Sequence, residues 1–250
     1  MQRMMRIGLV LSTLFTVATV SGAEKDQARA IVEKAIKAHG GEKAKINAQT
    51  WHVKGSMDFM GQKQPYTAIY TYALPNKFRF DLEMEMGGQK VKLIAASNGK
   101  HAWEKMGNFI RDMSKEKTLE FNHNVYSMSL TSLFPLRNKK YKLTTLGESK
   151  VGDKTVAGIL VQKKGKRDVS LFFDKKTGLL AKTKTKIISE FTGKEAKQEV
   201  YFTGYQKKDG IMIFDKLTIK VDGQGFIEEE YSKHRTLKKV DPKLFSKPKK

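Results

Sequence analysis

The stretch NKFRFDLEMEM, Asn76 to Met86, decides the fold. Phe78, Phe80, Leu82, Met84 and Met86 alternate with Lys77, Arg79, Asp81, Glu83 and Glu85. A period of two sends the first set to one face of a β-strand and the charged set to the other. The strand is therefore dry on one side and wet on the other. Whatever covers the dry side must accept two phenylalanines, a leucine and two methionines.

The flanking sequence repeats the pattern. Trp51–Met60 alternates Trp51, Val53, Met57 and Phe59 against His52, Lys54 and Asp58. GQKQP turns the chain into Tyr66–Leu74, and Pro75-Asn76 supplies the next turn through the fixed φ of proline and the tolerance of asparagine. After Met86, GGQ leads into Lys90–Ser97, and Asn98-Gly99 is a hairpin signal. His101–Met106 and Asn108–Met113 flank Gly107. Strands joined by such short turns pair antiparallel. After an interruption, further strands are predicted at 141–149, 155–163, 167–174, 179–189, 197–206, 211–221 and 226–236. The fold class is mostly β, with one large antiparallel sheet of eleven or more strands.

Two helices are predicted. Near residue 24, Ala28, Ile31, Val32 and Ala35 recur at helical spacing, and Gly40 or Gly41 provides the stop. In the interruption, Ser114 can cap a helix running to Phe134, with Pro135 ending it. Leu119, Tyr126, Leu130 and Leu133 form one stripe; Phe121, Val125 and Met128 form a second. A helix lying on a sheet needs one stripe, so the second calls for a partner. A dozen strands at about 4.8 Å make a sheet roughly 55 Å wide. Two helices about 10 Å across cannot cover it. Such a sheet curls round an apolar cavity or stacks into two layers that fill each other; the residue pattern leaves both open.

Arg3 and Arg6, the apolar run Ile7–Val20 and the small residues Ser21-Gly22-Ala23 have the order of an export signal cleaved near Ala23. The expected division is a signal at 1–23 and a single domain at 24–250, with 246–250 a disordered tail. The absence of cysteine excludes disulfides, thiolate metal sites, a cysteine nucleophile and an acylated cysteine anchor. A formal charge of +22 is an argument about partners and not about fold. For an exported chain the matching polyanions are an anionic membrane surface or acidic polymers, and no nucleic acid is expected; a solvated lysine-rich surface is the plain alternative. The candidate headgroup-binding residues are Lys163, Lys164, Lys166 and Arg167 around one hairpin, and Lys182, Lys184 and Lys186 on one strand face.

Catalytic patterns are missing. The five histidines, His39, His52, His101, His123 and His234, form no zinc-binding spacing, and no nucleophile elbow, P-loop or dinucleotide fingerprint occurs in context. Glu228, Glu229 and Glu230 are consecutive and cannot share a strand face. The expectation is a protein that is not an enzyme, with no metal and no cofactor.

LPNKFRF (Leu74–Phe80), SNGKHAW (Ser97–Trp103), LFFDKKTGLLAK (Leu171–Lys182) and DGIMIFDKLTI (Asp209–Ile219), in that order, resemble segments of the LolA/LolB family. These are periplasmic lipoprotein carriers and outer-membrane lipoprotein-sorting proteins. The resemblance runs from about Glu24 to Pro248. It implies an incomplete β-barrel wrapped round helices that act as a lid, with acyl chains inside. Leu74 stands where the classical carriers have an arginine tied to lid closure, and Phe214 where a late proline is common. The missing acylation cysteine favours the soluble type.

On that resemblance the chain is a soluble, monomeric periplasmic carrier or binder of acylated molecules, lipid or lipoprotein. Its acyl site would comprise Phe59, Tyr70, Phe78, Phe80, Leu82, Met84, Trp103, Phe121, Tyr126, Met128 and Leu130, under a lid at 114–134. If that lid opens, Tyr126→Asp or Leu130→Asp leaves the fold intact and abolishes acyl binding. The alternative is an envelope sensor or interaction domain on the same fold, binding a protein or acidic polymer through its basic surface.

Overall fold

A computed structural model describes residues 22–59, 61–189 and 192–248. The expected export signal lies outside them, apart from Gly22 and Ala23 at the start of helix α1 (Gly22–Ala38). Six strands follow: β1 (Ala48–Phe59), β2 (Gln62–Ala73), β3 (Lys77–Met86), β4 (Gln89–Ser97), β5 (Ala102–Met106) and β6 (Phe109–Asp112). Helix α2 (Lys115–Ser129) separates them from β7 (Lys142–Val151), β8 (Lys154–Gln162), β9 (Val169–Asp174), β10 (Leu180–Ile188) and β11 (Glu195–Thr203). The chain ends with β12 (Gln206–Lys208), β13 (Ile211–Ile213), β14 (Lys216–Val221) and β15 (Gln224–Thr236).

Thirteen strands form one antiparallel sheet in the order β6-β5-β4-β3-β2-β1-β15-β14-β11-β10-β9-β8-β7, and β12–β13 is a separate hairpin. The outermost strands β6 and β7 do not pair with each other, so the sheet is curled and not closed. The β1–β15 pair joins two hairpin-built arms. Phe78, Phe80, Leu82 and Met84 of β3 stand opposite Tyr72, Tyr70, Ala68 and Tyr66 of β2, on the concave side. Arg79 and Asp81 pair at 2.7 Å on the convex side.

Glycine geometry explains where two predicted elements stop. The strands predicted at 197–206 and 211–221 are each interrupted. Gly204 has φ 68°, and a Cβ there would overlap the Asp215 carboxylate, so β11 ends and the chain leaves the sheet as the β12–β13 hairpin. Gly40, at φ 121°, ends α1; a Cβ would come within 2.7 Å of the Gly210 carbonyl oxygen. The Met212 amide donates to the His39 carbonyl at 3.0 Å, which docks the small hairpin on the end of α1. The buried face of α1, Ala28, Val32, Ala35 and Ile36, packs on β7 and β8.

Ser114 caps α2 as predicted, its hydroxyl accepting from the Lys117 amide at 3.2 Å. The helix stops earlier than predicted. It gives way at Leu130 to two 3-10 turns, Leu130–Ser132 and Phe134–Arg137, hinged at Leu133 with φ 63°. Pro135 lies inside the second turn and does not terminate the helix. Leu130, Leu133 and Leu136 are buried in the core, so this base is anchored.

The convex face of β3–β6 carries a strap. Arg79, Ala96, Trp103 and Asp112 lie in one register row across β3, β4, β5 and β6. Residues Pro242–Phe245 cross it: the Trp103 indole donates to the Phe245 carbonyl at 3.2 Å, and Arg79 donates to the Leu244 carbonyl at 3.1 Å. Phe245 is buried and Lys247 pairs with Asp112. Lys247, within the segment expected to be disordered, is thereby tied to β6, while 249 and 250 lie outside the described residues. Removing residues 242–250 should expose Trp103 and lower stability by about 2 kcal/mol, the worth of one buried phenylalanine. Tryptophan emission should shift to the red with one of the two indoles becoming quenchable by acrylamide, because Trp51 stays in the core. Among the described residues, no helix is long and apolar enough to cross a membrane.

Candidate functional site

The concave face of β2 and β3 meets α2 through aromatic rings. Phe78 stacks on Tyr72 at 4.5 Å between centroids and meets Tyr70 at 5.6 Å. Phe121 of α2 lies over both Phe78 (5.9 Å) and Phe80 (6.3 Å). Phe78, Phe80, Tyr70 and Phe121 are only half-buried, whereas Leu82 is fully buried. Four of the predicted acyl-site residues are thus brought together as one contact between helix and sheet.

Polar bonds hold α2 to both arms of the sheet. On the N-terminal arm, Lys117 pairs with Glu104 of β5 at 2.9 Å, and Ser97 of β4 bonds to Asn122. On the C-terminal arm, Glu120 pairs with Arg167 at 2.7 Å, and His123 Nε2 meets the Thr185 hydroxyl of β10 at 3.2 Å. Burial works against the Glu104 carboxylate, but hydrogen bonds from Lys117 and Arg111 outweigh it and hold its pKa below the ordinary value. The helix is a strut across the mouth of the curled sheet. Its contacts nearer the N-terminal end are largely polar, and those at its base are apolar.

His123 gives the strut a pH dependence. Burial, with Arg167 and Lys166 nearby, lowers its pKa below the ordinary 6.5, against the opposing pull of Glu120 and the Lys186 carbonyl. A histidine whose folded pKa lies below its unfolded one contributes stability that is complete above the unfolded pKa and is lost as pH falls from there through the folded pKa. His39 and His234 are lowered by burial as well and act with the same sign. The urea midpoint should therefore drop from pH 7.5 to pH 5, and His123→Asn should make that drop shallower.

The interior is mostly filled. A cleft of about 110 Å³ lies between the 3-10 base of α2 and the β13 strand. Its walls include Trp51, Tyr72, Phe202, Tyr205, Phe214 and Tyr231. His234 lies against the Trp51 ring at 4.3 Å and bonds to Gln49 at 3.0 Å. Among the described residues of the predicted acyl site, Met128 alone lines this cleft.

Beside it lies a polar cluster absent from the sequence reading. Glu229 of β15 points into the concave side and is buried. Its Oε1 accepts from Tyr66 at 2.6 Å and from Tyr70, and its Oε2 accepts from Tyr231 at 2.6 Å. Gly55 stands opposite both Tyr66 and Glu229, and a Cβ there would lie 2.6 Å from the Tyr66 ring. The missing side chain lets the ring cross one strand and reach the carboxylate on the next. Burial first, and then the Glu229 charge, push the Tyr66, Tyr70 and Tyr231 hydroxyls above their ordinary pKa, so all three remain donors.

The other predicted residues separate. Trp103 is on the convex face beneath the strap, because it shares a row with Arg79 and not with Phe80. Tyr126 is buried with Lys166 over its ring at 5.4 Å, away from the Phe121 contact. Leu130 belongs to the anchored base, and Met84 is half-buried on β3. The Phe59 side chain falls outside the described residues. Among the basic candidates, Lys182 and Lys186 pair with Glu199 (3.1 Å) and Glu195 (2.7 Å). Lys163 covers the Tyr141 ring at 4.7 Å, and Arg167 is the partner of Glu120. Lys164 and Lys184 are exposed.

The sequence matches no family model and no curated protein. Solved structures do match. A LolA superfamily protein from Nitrosomonas europaea superposes with TM-score 0.59 at 12% identity, over 88% of this chain and 97% of that one. A DUF1329 family protein from Desulfovibrio piger gives TM-score 0.57 at 13% identity with the same coverage. An outer membrane lipoprotein-sorting protein domain from Vibrio parahaemolyticus, described as putative in its name, gives 0.56 at 10% identity, again over 88% and 97%. Identities this low speak to architecture alone: a thirteen-stranded curled sheet with one helix at its start and another across its mouth is a LolA-like fold.

Proposed function

We propose that the chain is a periplasmic, non-enzymatic carrier or binder of acylated molecules, in which α2 is a lid pivoting on Leu130, Leu133 and Leu136. The observation that carries this reading is the contrast along one helix. Phe121 makes half-exposed aromatic contacts and the bonds around it are polar, while the base is fully buried. Pockets for organic ligands run to about 300–1,000 Å³, so the 110 Å³ cleft is too small for an acyl chain with the lid closed. Swinging α2 away uncovers Tyr70, Phe78, Phe80, Leu82 and Met84 on the concave wall. An acyl chain then takes the place of Phe121. Methionine suits a contact whose partner changes, since its side chain is flexible and polarizable.

Displacement of a fluorescent fatty-acid probe tests the proposal. Wild-type protein should bind the probe. Phe121→Asp should retain the wild-type circular dichroism spectrum, because the aspartate reaches water at a half-buried position, and bind the probe at least tenfold more tightly, because the ring that competes with the acyl chain for Phe78 and Phe80 is gone. Absence of probe binding to the wild type would reject the carrier.

The filled interior favours a second reading, an envelope sensor or interaction domain. It would bind a protein or acidic polymer through exposed lysines such as Lys164 and Lys184, and its α2 would never open.

A further inference from the structure

We infer that the carrier site described above accepts amphiphiles with an ammonium head, and that Glu229 is the residue selecting that head. The inference rests on the carrier reading and adds the chemistry of the polar end.

An ionised carboxylate facing an apolar interior is costly unless its oxygens are bonded. Tyrosine hydroxyls bond Glu229 without neutralising it; among the described residues no lysine or arginine forms an ion pair with it. A purely structural role for the whole cluster would be met as well or better by apolar side chains at Glu229 and the three tyrosine hydroxyl positions together. A carboxylate offers about four acceptor positions. Two on Oε1 are taken by Tyr66 and Tyr70, one on Oε2 by Tyr231, and one on Oε2 is left.

The surroundings suit a cation. The rings of Phe78 and Tyr231 lie 5.6 and 6.1 Å from that of Tyr70, centroid to centroid, and ring faces attract ammonium groups. The cluster also has a route to it. Tyr231 and Tyr72 are walls of the cleft, and Tyr70 contacts Phe78 beneath Phe121. Opening α2 therefore uncovers the cluster from the lid side. Beside the cluster the dry face of β3 continues through Phe80 and Leu82 to Met84, which lies opposite Tyr66, a track for the tail. An anionic head would meet a carboxylate at this position and be rejected, although the protein as a whole is strongly cationic.

Competition among three probes of equal chain length tests the inference. Dodecylammonium, dodecanol and dodecanoate displace the neutral fluorophore N-phenyl-1-naphthylamine in about 0.5 M salt, where attraction to surface charge is screened within roughly 4–5 Å. In the wild type, dodecylammonium should displace at least tenfold more tightly than dodecanoate. Glu229→Gln keeps the shape and most bonding, and should shrink the ratio below threefold while the fluorophore still binds. Should that variant fail to fold, Tyr231→Phe serves: it frees a second position on Oε2 and should widen the ratio. Equal or stronger displacement by dodecanoate in the wild type, or a ratio unmoved in either variant, would overturn the head-group assignment and leave the carrier intact. Failure of the fluorophore to bind at all would remove the carrier and the inference together.

Discussion

The Leu130→Asp variant is expected not to fold. Leu130 is fully inside the core cluster, with Leu133 and Leu136 beside it, in the 3-10 turns that anchor α2. Burying a carboxylate there costs its desolvation, and the lost leucine removes a further 2–5 kcal/mol or so of packing. Together these exceed the roughly 5–15 kcal/mol that holds a domain folded, or come close to it. Circular dichroism and urea titration read the outcome. The sequence reading expected this position to ride on the opening lid and tolerate the charge; the burial of Leu130 in the core predicts the opposite. Phe121→Asp, two turns earlier, is the variant that separates lid from base. If Leu130→Asp folds with near-native stability, the base moves too and the pivot is misplaced.

Glu229→Leu is expected to cost about 3 kcal/mol or more, since it orphans three buried hydroxyls at roughly 1–3 kcal/mol each, less whatever relaxation recovers. The same change combined with Tyr66→Phe, Tyr70→Phe and Tyr231→Phe should recover most of the loss, because removing both sides of a buried bond is far cheaper than removing one. Urea midpoints of the wild type, the single variant and the quadruple variant make the comparison. A single variant as stable as the wild type would show that the hydroxyls find other partners. A quadruple variant no better than the single one would place the cost in shape and not in bonding.

These two positions also show what a linear reading can and cannot see. The alternation of β3 is unambiguous because every second residue is charged, and the hairpin turns follow from Gly, Asn and Pro; the large antiparallel sheet was legible for that reason, whereas its curl was only what the family resemblance implied. The Ser114 cap was legible for the same local reason. The end of α2 was not, since apolar residues continue past Ser129 at helical spacing and nothing in them marks the positive φ of Leu133. Trp103 misleads because β5 is apolar on both phases: Ala102 and Met106 on one, Trp103 on the other. Its cover comes from Phe245, 142 positions away. Glu229 is hidden by its charged neighbours on either side. Their ion pairs with Lys63 and Lys216 lie on the wet face, and only its parity with Ile227 and Tyr231 places it inside. Gly55 within a strand was the readable hint, since glycine there marks a close approach.

The order of strands has a kinetic consequence. β1 pairs with β2 on one side and β15 on the other, and Ser232 bonds to His52 across a separation of 180 residues. Each arm is a run of hairpins that can zip locally, but their union waits for the last long strand. Pairings at such separation slow folding, because a large loop must close before the contact rewards it. In that interval β1 and β15 each present an open row of amides and carbonyls, the surface on which strands of other molecules add. Refolding yield should therefore fall with protein concentration more steeply than refolding rate changes, with the half-joined chain as the species that is lost.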